Sequence, residues 1–139
     1  MTTTQPKQQL TFEQFLEYDV EEEGRYELVN GEIARILPTR QHETIAEFIS
    51  DSFKGEVKCL RLNYWVSGRI VVRTLTPDGR EQGRNPDVSV VDRIIWDSHP
   101  TAYSALLEPL QLAVEVVSTN WEDDYIDKLD EYQRLGIPE

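Results

Sequence analysis

Leu110-Gln111-Leu112-Ala113-Val114-Glu115-Val116-Val117-Ser118 is the most apolar run of the chain, and a carboxylate interrupts it. Its length and β-branching predict a central, buried strand. An unpaired carboxylate is expensive to bury there. Glu115 therefore needs a metal ion, a cationic partner or a place at the edge of a site. The plainer alternative is a Glu115 that faces solvent or pairs with an arginine, since Val114 and Val116 point the other way. Upstream, Asn85-Pro86-Asp87-Val88-Ser89-Val90-Val91 reads as a strand entered through a proline, which is tolerated at a strand's first residue. If the two strands are neighbours, Asp87 and Glu115 converge. Two carboxylates and a backbone carbonyl make an oxygen-only site suited to Mg²⁺. Asp after Pro is also common in ordinary turns.

The flanks alternate helix and strand signals. Residues 1–10 read as a flexible tail. Thr11 and Gln14 form a capping box for a helix from Phe12 to Tyr18 that carries Phe12, Phe15 and Leu16 on one face. Asn30-Gly31, between two alternating runs, predicts a two-residue hairpin. From His42 to Val57, Ile45, Phe48, Ile49 and Phe53 predict an amphipathic helix. Leu62–Val66 and Arg69–Leu75 predict strands joined by a Ser67-Gly68 turn, and residues 97–109 a long loop. Trp121–Leu135 predicts a helix with Ile126, Leu129, Tyr132 and Leu135 on its apolar face. Another strand is expected beyond Glu139, so residues 11–139 read as one domain, incomplete at its C-terminus.

Composition narrows the function. With 39% hydrophobic and 29% charged residues, the chain suits a soluble globular domain. No apolar run approaches a membrane span, and the N-terminus lacks the apolar stretch of a secretory signal. The single cysteine, Cys59, excludes an intrachain disulfide and paired-cysteine zinc sites, and points to a cytoplasmic location. The net charge of −12 disfavours nonspecific binding to nucleic acid. The charge is uneven, however. Lys54–Arg93 holds eight basic and five acidic residues, so the middle of the chain is the candidate anion-facing region. Arg69, Arg73 and Arg84 are its candidate phosphate contacts, unless they are simply solvated on strand edges.

A wider ordered set carries a resemblance: Arg25-Tyr26-Glu27-Leu28-Val29-Asn30-Gly31-Glu32, His42 opening a helix, Pro86-Asp87-Val88, Val114-Glu115-Val116-Val117-Ser118, and Lys128 with Tyr132 and Gly136. The set resembles the Uma-two family of restriction-endonuclease-like proteins, within the PD-(D/E)XK nucleases. The resemblance implies an α/β fold, an αβββαβ core around a mixed central sheet, with an extra N-terminal helix and hairpin. It implies a Mg²⁺ or Mn²⁺ site at Asp87, Glu115 and the Val117 carbonyl, with Glu27 a further candidate. The implied activity is hydrolysis of nucleic-acid phosphodiesters, DNA foremost, with a homodimer as an option and no membrane partner. One departure stands out: the general signature has Lys two residues after the Glu, where this chain has Val117. Lys128, one helix later, is the natural substitute. The alternative is an exposed Lys128 paired with Asp124. A catalytically silent nuclease fold used for binding, and a protein-interaction domain without nucleic acid, are the other classes.

Overall fold

The computed structural model describes residues 9–20, 22–117 and 122–139, and the side chains of these except 122–124. Residues 1–8 of the tail expected over residues 1–10, and the ends of the predicted strand and helix at 118–121, lie outside the described residues. Gln9 and Leu10 are not a free tail. Leu10 N–H donates to the Gly31 carbonyl at 3.0 Å.

Helix α1 (Phe12–Glu17) starts as its sequence dictates. The Thr11 side chain accepts from Gln14 N–H, and the Gln14 side chain accepts from Thr11 N–H. Phe12 and Phe15 are buried. Strands β1 (Arg25–Val29) and β2 (Glu32–Ile36) form the predicted hairpin, with φ of 52° at Asn30 and 81° at Gly31. That left-handed pair is the turn that Asn-Gly accepts. Helix α2 (Arg40–Leu60) follows, capped by Thr39. Its inward row is Ala46, Ile49, Phe53 and Val57. Ile45 and Phe48, expected to share the apolar face, are 40% and 71% exposed.

Strands β3 (Tyr64–Ser67), β4 (Val71–Leu75), β5 (Glu81–Arg84) and β6 (Val88–Asp92) come next. Then follow helix α3 (Arg93–Asp97), strands β7 (Ala105–Leu106) and β8 (Leu112–Val114), and helix α4 (Glu122–Leu135). The fold is mixed α/β, as expected. Hydrogen bonding divides the strands into the orders β2-β1-β5-β4-β7 and β3-β6-β8. The first is mixed: β4 pairs parallel with β7 and antiparallel with β5. Strands β3 and β4 meet at Ser67-Gly68 as expected, but they do not pair with each other. Ser67-Gly68 carries the chain from one sheet to the other, and β3 pairs antiparallel with β6 instead. The loop expected over 97–109 holds the end of α3 and all of β7.

Strand β6 is the spine. Val88 and Val90 pack towards Ile49, Phe53 and Val57 of α2, while Val91 joins Ile70, Val72, Leu106, Leu110 and Tyr132. Val72, Val88 and Val91 are fully buried, each contributing roughly 1.5–3 kcal/mol of apolar burial. Strand β8 departs from the expected central strand. It is short, half-buried and last in the described order. The ladder stops because Val116 N–H leaves it to donate to a side chain, Asp87 Oδ2, at 2.7 Å.

Gly68 faces the backbone at the same place. A Cβ there would lie 2.9 Å from the Asp87 carbonyl oxygen, whereas one at Gly55 in α2 meets nothing within 4 Å. Gly68→Ala is expected to lose about 1–3 kcal/mol by displacing Asp87. Gly55→Ala is expected to gain about 0.5–1 kcal/mol from helix propensity. Urea unfolding of the two variants checks both signs.

Candidate active site

The chain leaves β5 of one sheet and enters β6 of the other through Asn85-Pro86-Asp87. Val88 is the antiparallel partner of Val114, so Asp87 and Glu115 continue past the paired ends of two adjacent strands. Both line a cleft of about 470 Å³ with Arg25, Glu27, His42 and Lys128 among its other walls. The Asp87 side chain is almost fully buried. Its Oδ2 accepts from Val116 N–H at 2.7 Å and stands 3.1 Å from His42 Nε2. Its Oδ1 is reached by both terminal nitrogens of Arg25, each at 3.4 Å.

Glu115 is held from α4. Tyr132 donates its hydroxyl to Glu115 Oε1 at 2.6 Å, and Lys128 Nζ lies 3.5 Å from Oε2. Burial pushes the Glu115 carboxyl up to about 7; Lys128 and Tyr132 pull the other way, and Asp87 and Glu27 add smaller upward pushes. Burial also raises the Tyr132 hydroxyl well above its ordinary value, with Glu115 the next cause. Mutual repulsion of the two carboxylates is therefore a minor part of the effect. Desolvation dominates.

Lys128 is not an exposed helix lysine. It is 7% exposed, and its Nζ also lies 3.4 Å from Glu27 Oε2. The apolar face expected for α4 is buried only in part: Tyr132 and Leu135 join the core. Ile126 and Leu129 are 58% and 43% exposed, while Lys128, Glu131 and Tyr132 point inward. The inward face is charged because it meets charge. Arg84, 1% exposed, donates Nε to Glu131 Oε1 at 2.9 Å and Nη2 to Glu131 Oε2 at 2.8 Å. Thr74 donates its hydroxyl to Glu131 Oε1, and Glu27 Oε1 lies 3.7 Å from Arg84 Nη1.

Arg84 is therefore no phosphate contact: its guanidinium is committed inside the fold. Arg69 is exposed and Arg73 pairs with Glu81 at 3.4 Å, and neither lines the cleft. Glu27 does line it, but its Oε2 accepts from Asn85 N–H at 2.8 Å besides facing Lys128. Val117 also lines the cleft, with its side chain half exposed. The cleft's cations, apart from Lys128, are Arg25 and Arg35, both outside the basic stretch singled out from the sequence. Arg25 and His42 were legible only as members of a motif, because folding alone brings the start of β1 and the first turn of α2 to Asp87.

Among the described residues, no group of three or more His, Cys, Asp or Glu side chains is placed to hold a metal ion. The donor chemistry nonetheless suits a divalent cation. Two carboxylates converge at the strand ends, Asp87 Oδ1 has only long contacts, and Glu115 stays partly protonated near neutral pH despite Lys128. The cluster can accommodate more positive charge than it contains.

Comparison with known proteins follows the same line. Residues 12–139 match the profile of the Uma2 family, described as "Putative restriction endonuclease". No curated protein matches the chain. A solved structure from Anabaena variabilis ATCC 29413, titled a "putative nuclease belonging to DUF820", shares the fold with a TM-score of 0.60 and 20% identity. The match covers 86% of this chain, and this chain spans 65% of that one. Among the described residues, no helix is long and apolar enough to cross a membrane.

Two outcomes follow from the buried charges. Arg84→Ala strands Glu131 and part of the Glu27 environment without a counter-charge, and should lose about 3–5 kcal/mol in urea unfolding. The Glu115 carboxyl titrates at about 7 in the fold against an ordinary 4.5. Between those values the folded chain holds more protons than the unfolded one, so this group's contribution to stability falls as pH rises. Glu115→Gln, which cannot ionise, should match wild type below about pH 4.5 and exceed it by up to about 3 kcal/mol above pH 7. Metal-free unfolding curves at a series of pH values read the difference directly.

Proposed function

The chain belongs to the Uma2 family, and from that premise we propose that residues 11–139 form a metal-dependent endonuclease domain hydrolysing nucleic-acid phosphodiester bonds, DNA foremost. One observation carries the reading: Lys128 is buried against Glu115 and Glu27, in the cleft that also holds Asp87. Lysines are almost never buried unless paired, and both partners here are carboxylates lining the same cleft as Asp87. Lys128 and Val117 line the same cleft from different elements, which supports reading Lys128 as the substitute for the signature lysine.

Asp87 and Glu115, with the Val117 carbonyl, are the residues that would hold Mg²⁺ or Mn²⁺. When bound, the ion supplies Lewis-acid polarisation of a phosphoryl oxygen. Lys128 offsets negative charge developing on the phosphoryl oxygens as the scissile bond breaks. Tyr132 holds the Glu115 carboxylate through Oε1 and leaves Oε2 to the cleft side. Glu27 keeps the ammonium in place from the other side. Electrostatics permit a phosphate to enter. The cleft lines three cations, Arg25, Arg35 and Lys128, against three carboxylates, Glu27, Asp87 and Glu115, in a chain whose net charge is −12. The lone Cys59 is exposed, which suits a reducing cytoplasm.

The silent-fold reading keeps one observation in its favour, the lack of a three-ligand group among the described residues. A paired comparison separates the two. Lys128→Met should lower Mn²⁺-dependent nicking of plasmid DNA by about 10²–10³-fold, the size of a lost transition-state contact. Its Mn²⁺ affinity by calorimetry should be kept or tightened, because a cation competing for Glu115 is gone. Glu115→Ala should lose both. Equal cutting by Lys128→Met overturns the lysine's role. A wild-type chain that binds Mn²⁺ yet cuts neither DNA nor RNA turns the reading to a silent binding module.

A further inference from the structure

We propose that His42 is a positioning residue of this site, fixing the Asp87 carboxylate so that Oδ1 faces an incoming divalent cation; the inference rests on the metal-site reading above. The two Asp87 oxygens are held unequally. Oδ2 takes a short bond from Val116 N–H and stands within hydrogen-bond distance of His42 Nε2, while Oδ1 receives only the long Arg25 contacts at 3.4 Å. A carboxylate accepts and does not donate, so the His42 tautomer facing it carries its proton on Nε2.

Three features make His42 a device for this bond rather than a bystander. Its backbone is pinned at the start of α2, where its N–H donates to Thr39 Oγ1 at 3.1 Å. Its side chain is 18% exposed, in the cleft wall. Its other ring nitrogen, Nδ1, is buried with no hydrogen-bond partner. Glu43 Oε1, at 3.8 Å from Nδ1, is beyond bonding reach. The Asp87 bond is thus what orients the ring, and the ring in turn orients Asp87.

The alternative resting place for Asp87 is Arg25. A guanidinium prefers two parallel bonds to one carboxylate. With the His42 bond gone, Asp87 is free to turn onto Arg25 and take Oδ1 out of the cleft. His42 and Val116 N–H together oppose that rotation. Carboxylate partners of this kind typically change metal affinity by about 10–100-fold when removed.

The test is Mn²⁺ binding by calorimetry, which does not depend on turnover. His42→Ala should weaken Mn²⁺ affinity by about 10–100-fold. His42→Gln, whose amide N–H reaches a position close to Nε2, should recover most of it. His42→Phe keeps the ring volume without the donor and should behave as His42→Ala does, so it replaces that variant if truncation prevents folding. Metal-free melting temperatures confirm that each variant used is folded. Binding within about twofold of wild type by the donor-free variant overturns the positioning role while leaving the metal site standing. The role is equally overturned if folded His42→Gln binds as weakly as His42→Phe. A wild-type chain that takes up no Mn²⁺ defeats the metal-site reading itself, and the positioning role with it.

Discussion

The guanidinium of Arg84 is almost completely removed from water, and the interior around it is organised to keep that charge satisfied. Glu131 of α4 meets it through two parallel bonds, and Glu27 of β1 approaches from another side. An intact buried pair adds little net stability, but one left half-made is severely destabilising. The pairing therefore acts less as glue than as a condition on geometry. Helix α4 must dock at the rotation that brings Glu131 to Arg84, and that rotation carries Lys128, three residues earlier, to Glu27 and Glu115. Tyr132 arrives with it. The position of the proposed lysine is inherited from a salt bridge in the core.

The same constraint explains what could and could not be read from the residues in order. The capping box at Thr11 and the Asn30-Gly31 turn were legible because each depends on local chemistry, whereas the adjacency of Asp87 and Glu115 was conditional in the residues and came with the family resemblance. The faces of the long helices were not legible. Hydrophobic periodicity assumes that inward means apolar, and α4 turns Lys128 and Glu131 inward while Ile126 and Leu129 stay half exposed. In α2, Phe48 is left outside although Ile49 and Phe53 pack on β6. Charge counting along the chain failed for a related reason. It selected Arg84, which the core consumes, and passed over Arg25, which reaches Asp87 from far away in sequence.

The site lies where the two sheets exchange the chain, and this has an energetic side. Backbone at a junction of sheets has lost its ladder partners, so side chains must supply them. Glu27 accepts from Asn85 N–H, Asp87 accepts from Val116 N–H, and Arg25 donates to the Asn85 carbonyl at 2.9 Å. Asp87, one of the two carboxylates proposed to hold the ion, thus also satisfies a backbone donor of the junction. At Asp87 the fold and the proposed chemistry draw on the same atoms, while burial holds Glu115 partly in its neutral form.

Pro86 bears on this coupling in another way. Carried two steps past the last observed pair, the β6–β8 register would set Pro86 opposite Val116. A proline cannot donate there, so the Val116 carbonyl across from it is left without that rung, and the Val116 N–H is taken by the Asp87 side chain rather than by the ladder. The proline is thus more than a strand entrance. It removes a donor from the ladder beside the acidic residues, and the carbonyls on its own side, of Asn85 and Pro86, are met instead by the Arg25 guanidinium at 2.9 and 3.4 Å.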